Sequence, residues 1–166
     1  YAASPVLASH DHLHTYFEKL TTPHYDPRFV PIEEKRGITM GMAMTEKQGG
    51  SDVRANETRA TLNAGSTHEY TLVGHKWFCS APMSDAFLTL AQTSNGQSCF
   101  FVPRWRPDGT RNTISIQRLK DKLGNKSNAS SEIEYNQTYG ELVGEEGKGI
   151  RTIIEMVHHT RLDCML

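Results

Sequence analysis

The sequence predicts a mainly β fold, an antiparallel β-barrel of about six or seven strands with helical flanks. Short β-rich runs alternate with turn residues at a spacing typical of barrels and sandwiches. Between the runs lie Asn63–Ser66, Ser94–Gly96 and Pro107–Gly109, whose Asn, Asp and Gly residues favour turns. A chain of 166 residues with 37% hydrophobic and 22% charged residues can bury one core of this kind.

We assign one predicted strand to each of these β-rich runs. Because their connections are short and rich in turn residues, consecutive strands are expected to be antiparallel. The predicted strands span residues 38–45, 57–64, 68–79, 86–93, 97–104, 112–119 and 129–136.

Both ends of the chain carry the apolar spacing of amphipathic helices. Near the N-terminus, after a possible cap at Asp11, these residues are Leu13, Tyr16, Phe17 and Leu20. Near the C-terminus they are Ile150, Ile153, Ile154 and Val157. Prolines at 23, 27 and 31 predict an extended linker over residues 22–35. We therefore predict a helical segment with its linker over 1–36, the barrel over 37–143, and the start of a second helical segment over 144–166.

Composition limits the classes of function. The formal net charge of −1 opposes a free-standing nucleic-acid-binding barrel, which usually has a clustered basic excess. The three cysteines lack a paired spacing and favour a reducing cytoplasm, and no apolar run approaches the roughly 18 residues of a membrane span. His10, His12 and His14 lack the spacing of helical metal ligands, and we interpret them as solvated.

The chain's main functional motif is Met42–Asp52 (MAMTEKQGGSD), where an apolar run ends in a glycine-rich turn. Paired glycines can expose consecutive backbone N–H groups, and Thr45 and Ser51 add hydroxyls, so the turn suits phosphate or a ring carbonyl oxygen. Alternatively, Gly-Gly-Ser-Asp is only a hairpin turn. The sequence has neither a Gly-x-Gly-x-x-Gly dinucleotide fingerprint nor a P-loop.

Four motifs in order resemble the acyl-CoA dehydrogenase family. Met42–Asp52 is similar to its flavin-binding signature, and Gly74–Ser80 (GHKWFCS) to its second flavin strand. Leu119–Tyr135 resembles a later β-hairpin, and Gly144–Ile150 the entry to the C-terminal helices. Three segments resemble the AidB-type branch of the bacterial alkylation response. They are Thr45–Asp52 (TEKQGGSD), Cys99–Arg104 and Lys122–Ala129.

The resemblance implies an FAD site. The residues expected to bind the cofactor are Met42, Ala43, Met44, Thr45, Gly50, Ser51, Trp77, Phe78 and Cys79. It places Thr45 and the Met42–Met44 backbone at the flavin edge, Ser51 at the pyrophosphate, and Trp77 against the ring. Core packing is the alternative for Met42, Met44 and Trp77.

Cys79 stands where many relatives have a hydroxyl two residues after this Trp, and a thiol is a poor donor. Simple strand alternation directs the neighbouring Ser80 to the opposite face. Glu46 is interpreted as a solvated or loop-bracing carboxylate rather than a base. Alternating charges at Lys120–Lys122 and at Lys126 indicate a solvated face.

By the same resemblance, the carboxylate base belongs to a C-terminal helical domain, so this chain alone should be inactive. Its apolar ends suggest an excised part of a larger protein. The parent is expected to take an acyl-CoA-like small molecule, to contact DNA only through regions absent here, and to form a homotetramer. The alternative is a non-catalytic β-barrel interaction module.

Overall fold

The computed structural model describes residues 1–165, a barrel with helices at both chain ends. The helices are α1 (Ser4–Ala8), α2 (His14–Thr21) and α3 (Gly149–Asp163). The strands are β1 (Met40–Ala43), β2 (Arg59–Leu62), β3 (Glu69–Ser80), β4 (Ala86–Thr93), β5 (Gly96–Pro103), β6 (Ile114–Leu119) and β7 (Ser130–Val143). All seven predicted strands are confirmed, with most of their ends shifted by a few residues.

Five strands close the barrel. In ring order they are β1, β3, β7, β5 and β4, and β4 closes the ring by pairing with β1. Strands β2 and β6 extend the sheet beside β3 and β7. The predicted barrel with helical flanks is therefore confirmed.

Two pairings differ from the expected antiparallel order, since β1 and β2 each run parallel to β4. A short turn joins β3 to β4, so these two strands have opposite directions. They are separated in the barrel by β1, which must then be parallel to one of them. A prediction based on neighbours along the chain does not detect this insertion.

The longest strand, β7, continues beyond the predicted end at residue 136. A kink interrupts it there, because Gln137 has a φ of 54°. The Thr138 hydroxyl stabilises the kink by donating to the Thr113 carbonyl at 2.6 Å and accepting from Asn136 N at 3.1 Å. Beyond the kink, β7 pairs with β5 instead of β6.

The barrel separates two apolar clusters. The interior cluster includes the edge-on pair Tyr70 and Phe100, whose ring centroids are 5.0 Å apart. The exterior cluster joins the helices to the outer faces of β4 and β5; it includes Leu7, Leu13, Leu88, Leu90, Phe101, Ile153 and Met156. Because both chain ends pack on this one cluster, the domain boundaries at 36 and 143 stay a prediction.

Of the three N-terminal histidines, His12 and His14 are exposed as expected, whereas His10 is partly buried. His10 Nε2 accepts a hydrogen bond from Gly144 N at 2.9 Å, and His12 lies 3.8 Å from the Glu141 carboxylate. They connect the N-terminal segment to the end of β7. Within residues 1–165, no group of three or more His, Cys, Asp or Glu side chains is placed to hold a metal ion. None of the helices in the same range is long and apolar enough to cross a bilayer.

Candidate functional site

Pairing of β1 with β3 brings the two predicted flavin motifs side by side. Met42 is the cross-strand partner of Ser80, and Ala43 is the partner of Cys79. Just beyond β1, Trp77 N donates to the Thr45 carbonyl at 2.8 Å. Residues 32 to 38 positions apart in sequence thus form one strip of the barrel wall.

The side chains of this strip alternate between the two faces of the wall. Ala43 and Cys79 are fully buried in the barrel interior. Met42 and Met44 lie on the outside, partly buried against the exterior cluster. The packing alternative for the methionines therefore holds in part, since each also retains some exposure.

Cys79 and Ser80 lie on opposite faces of β3 as strand alternation predicts, but the expectation that the Cys79 side chain faces the cofactor is wrong. The Cys79 side chain is inside the barrel, where burial raises the pKa of its thiol to about 12. A β-bulge between Lys76 and Cys79 shifts the alternation of side chains so that Cys79 points inward. Ser80, the cross-strand partner of Met42, is partly exposed. The preference of cysteine for burial over serine was the available sequence signal. Only the backbone of Cys79 can serve a ligand outside the wall.

The glycine turn lies directly against Thr45. Gly49 has a φ of 112°, which favours glycine, and a Cβ placed on Gly50 would lie 3.1 Å from Thr45 Oγ1. Asp52 then begins a short 3-10 helix, its carboxylate accepting from Arg54 N at 3.2 Å. Gly50 and Ser51 are exposed, so the turn presents backbone and hydroxyl groups to solvent.

Three hydroxyls belong to the glycine turn and the adjoining strip of the barrel wall, those of Thr45, Ser51 and Ser80. Within the described part of the chain, neighbouring polar side chains such as Gln48 and Asn56 have protein partners, whereas these three hydroxyls have none. Their hydrogen-bonding capacity is therefore available to a ligand.

The rings of Trp77 and Phe78 both lie close to the ammonium group of Lys120, which belongs to the neighbouring hairpin. Lys120 Nζ lies 3.2 Å from the Trp77 ring centroid and 4.7 Å from that of Phe78. The same ammonium pairs with Glu132 at 2.8 Å. Lys120 is largely buried, so the predicted solvated face is wrong for this lysine. One Trp77 face is covered by the ammonium, while Phe78 stays 42% exposed.

Sequence reasoning also missed Lys76, which is fully buried and paired with Glu46. Their charged atoms are 2.7 Å apart, and neither side chain is exposed. Of the two interpretations of Glu46, the loop-bracing one is confirmed and the solvated one is wrong. Burial lowers the pKa of Lys76 to about 8 although Glu46 opposes this shift. Burial would raise the pKa of Glu46, but the ammonium and three hydrogen bonds outweigh it and lower that pKa.

Residues 41–138, which hold the barrel strip and its loop, match the family described as "Acyl-CoA dehydrogenase, middle domain". The chain belongs to the acyl-CoA dehydrogenase family. Escherichia coli (strain K12) AidB is 56% identical over 171 residues, covering 100% of this chain and 31% of AidB.

Solved acyl-CoA dehydrogenase structures share the fold. Caenorhabditis elegans ACDH-11, in complex with C11-CoA, matches with a TM-score of 0.80 and 30% identity, over 96% of this chain and 28% of that one. An acyl-CoA dehydrogenase from Bacillus anthracis, complexed with FAD, has a TM-score of 0.62 and 27% identity, over 73% and 20% of the two chains. The chain thus spans a third or less of these relatives.

Proposed function

We propose that this chain supplies one wall of an FAD site in an acyl-CoA dehydrogenase-like protein of the AidB-type alkylation-response branch. The observation that carries the proposal is the β1–β3 pairing, which aligns Met42–Thr45 with Trp77–Ser80 beside the glycine turn. Family membership and the FAD complex of the Bacillus anthracis relative support the choice of cofactor.

The chemistry of the strip fits a flavin. A flavin needs an apolar wall, hydrogen bonds at its ring edge and donors for its pyrophosphate. Met42 and the exposed part of Phe78 would supply the apolar contact. Thr45 and Ser80 would bond the ring edge, and Ser51 with the Gly50 backbone would bond the pyrophosphate. Ser80 replaces Cys79 as the side-chain donor because the thiol is inside the barrel.

The chain's residues would bind and orient rather than transfer protons. The redox chemistry, acceptance of a hydride from the substrate, would come from the FAD that these residues hold. Glu46 is unsuited as a general base because it is fully buried and already accepts from Lys76, Glu57 and Thr58. We therefore assign the base to a part of the protein outside this chain.

The relatives suggest the class of substrate. The C11-CoA complex of the Caenorhabditis elegans protein supports an acyl-CoA-like ligand. From the family resemblance we also propose that the parent is homotetrameric and cytoplasmic. The 56% identity with AidB supports the alkylation-response branch. Since the net charge here is −1, we assign any DNA contact to other regions.

The visible spectrum of the purified intact protein tests the proposal. We expect a yellow protein whose flavin absorption returns when the apo-protein is mixed with FAD. A colourless protein that cannot be reconstituted would contradict the proposal and favour the non-catalytic interaction module. Anaerobic addition of acyl-CoAs of graded chain length, with bleaching of the flavin band as the readout, would then identify the substrate range.

A further inference from the structure

The buried pair of Glu46 and Lys76 connects four separate segments of the barrel. Lys76 Nζ on β3 donates to Glu46 at 2.7 Å and to the Leu90 carbonyl on β4 at 2.7 Å. The Glu46 carboxylate also accepts from Glu57 N at 2.5 Å and from Thr58 N at 3.1 Å. Glu46 therefore joins the two ends of the loop at residues 47–57, which contains the glycine turn.

Barrel stability alone does not explain this pair. Taking two charges out of water is costly, and apolar residues of similar size often stabilise a protein at least as well. What an apolar pair cannot do is accept from the Glu57 and Thr58 amides. A half-buried ion pair would be a weaker anchor, but here both side chains have zero exposure.

The second half of the loop between these ends, residues 47–57, is also held from β4 and β5. Gln92 donates to the Arg54 carbonyl at 3.0 Å, and Gln97 donates to the Val53 carbonyl. The centre of the loop at Gly50 and Ser51 is exposed. Gln48 donates to Asn56 at 2.8 Å, and Asn56 donates to the Met44 carbonyl at 2.9 Å, so these bonds also lie near the loop ends. The position of Ser51 therefore depends on these contacts of residues 53–56 and on how Glu46 holds the two ends of the loop.

We propose that Lys76 is a positioning residue for the cofactor site, acting through Glu46 to hold residues 47–57 in the conformation that binds the phosphate-bearing part of FAD. The role in cofactor binding rests on the function proposed above. The anchoring of the loop does not, and it can be measured without any flavin.

Four variants of the intact protein separate anchoring from folding. Glu46→Gln keeps the side-chain size but removes the charge, and the double variant Glu46→Leu with Lys76→Met removes both charges together. Lys76→Arg keeps the cation. Lys35→Met is the matched control, because Lys35 is a buried lysine paired with Asp85 at 2.6 Å outside the loop.

The first measurement is hydrogen exchange of amides 47–57 in the apo-protein, and the second is the FAD dissociation constant. For Glu46→Gln and the double variant we expect about tenfold or faster exchange in the loop, with barrel amides protected, and about tenfold weaker FAD binding. We expect Lys76→Arg, which keeps the cation but places a larger side chain in a fully buried site, to lie between the parent and the double variant in both. Lys35→Met should lower the melting temperature while leaving loop exchange and FAD affinity within about twofold.

If amide exchange in residues 47–57 is unchanged in a folded double variant, the pair does not hold the loop and the proposal is overturned. Faster exchange with unchanged FAD affinity would overturn the positioning role and leave the pair as a purely structural brace. A parent protein that binds no FAD would refute the proposed function and the positioning role together, while the exchange data would still decide whether the pair holds the loop. Equal losses in Lys35→Met would assign the effect to general destabilisation and overturn the proposal.

Discussion

Met42 of β1 and Ser80 of β3 face each other across an antiparallel pair on the outer wall of the barrel. This pairing places the Ser80 hydroxyl, which has no protein partner among residues 1–165, beside an apolar side chain. The preceding residue of β3, Cys79, has its thiol fully buried on the other face. The two neighbours Cys79 and Ser80 therefore offer a direct test of which face of β3 meets the cofactor.

We predict that Ser80→Ala weakens FAD binding by about 1 to 2 kcal/mol, or about five- to thirty-fold, because one hydrogen bond to the flavin is lost. Cys79→Ala is the matched control. Its side chain lies inside the barrel, so it should cost about 1 kcal/mol of stability and leave FAD affinity within about twofold. Titration of both apo-variants with FAD checks this. Loss of affinity in Cys79→Ala alone would restore the original assignment of the thiol.

We also predict that Thr45→Val and Ser51→Ala each lower FAD affinity by about 1 to 3 kcal/mol. Because neither hydroxyl has a protein partner among residues 1–165, the apo-protein should keep its stability within about 1 kcal/mol. FAD titrations and denaturant melts of the apo-variants measure the two quantities.

Ser127→Ala, which changes an exposed serine of another turn, is the control for these two variants. It should alter neither quantity. Unchanged FAD affinity together with a large loss of apo stability would make Thr45 and Ser51 structural turn residues. That result would remove the side-chain donors from both ends of the proposed flavin site.

A third prediction concerns the chain of residues 1–166 on its own, which should bind FAD weakly or not at all. Gly50 and Ser51 are exposed and Phe78 is 42% exposed, so the chain presents a surface rather than an enclosed pocket. Affinity for cofactors depends on burying most of their surface. Isothermal titration of the purified chain checks this, and near-stoichiometric binding below micromolar concentration would contradict it.

The local chemistry of the sequence was sufficient for the strands and turns. Gly65, Gly96 and Gly109 all have positive φ in the turns where they were expected. The observed bounds of β4, Ala86 and Thr93, also match the predicted strand. These features depend on a few adjacent residues, which is why pattern reading finds them.

The rest depends on contacts between distant residues. The bulge before Cys79 reverses which side chain faces outward, and no local pattern in Lys76–Cys79 marks it. Lys76 was unpredictable as a core residue because its burial requires Glu46, 30 positions earlier in the chain. Pairing of β1 between β3 and β4 likewise follows from barrel closure, not from sequence order.

The last prediction is an acid-dependent loss of stability that depends on Glu46. Its pKa is lowered in the folded protein, so the folded state favours the ionised carboxylate. The stabilisation is fully present above the unfolded pKa of about 4.3 and is lost as pH falls through the lower folded pKa. Below that pKa both states bind the proton.

In Glu46→Gln alone, the buried Lys76 would lose the partner that raises its pKa and would itself titrate differently. The double variant Glu46→Leu with Lys76→Met has no ionisable group at either position and should therefore lose stability less steeply with falling pH. Urea unfolding of parent and variant at several pH values from about 6 to 2.5 gives the two curves. Other carboxylates with lowered pKa, such as Glu132, titrate in both proteins and cancel in the difference. We expect the gap between the curves to be largest near neutral pH and to narrow below about pH 4. Parallel curves would mean that Glu46 gains nothing from its charge in the fold, and that its role is limited to accepting the amides of Glu57 and Thr58.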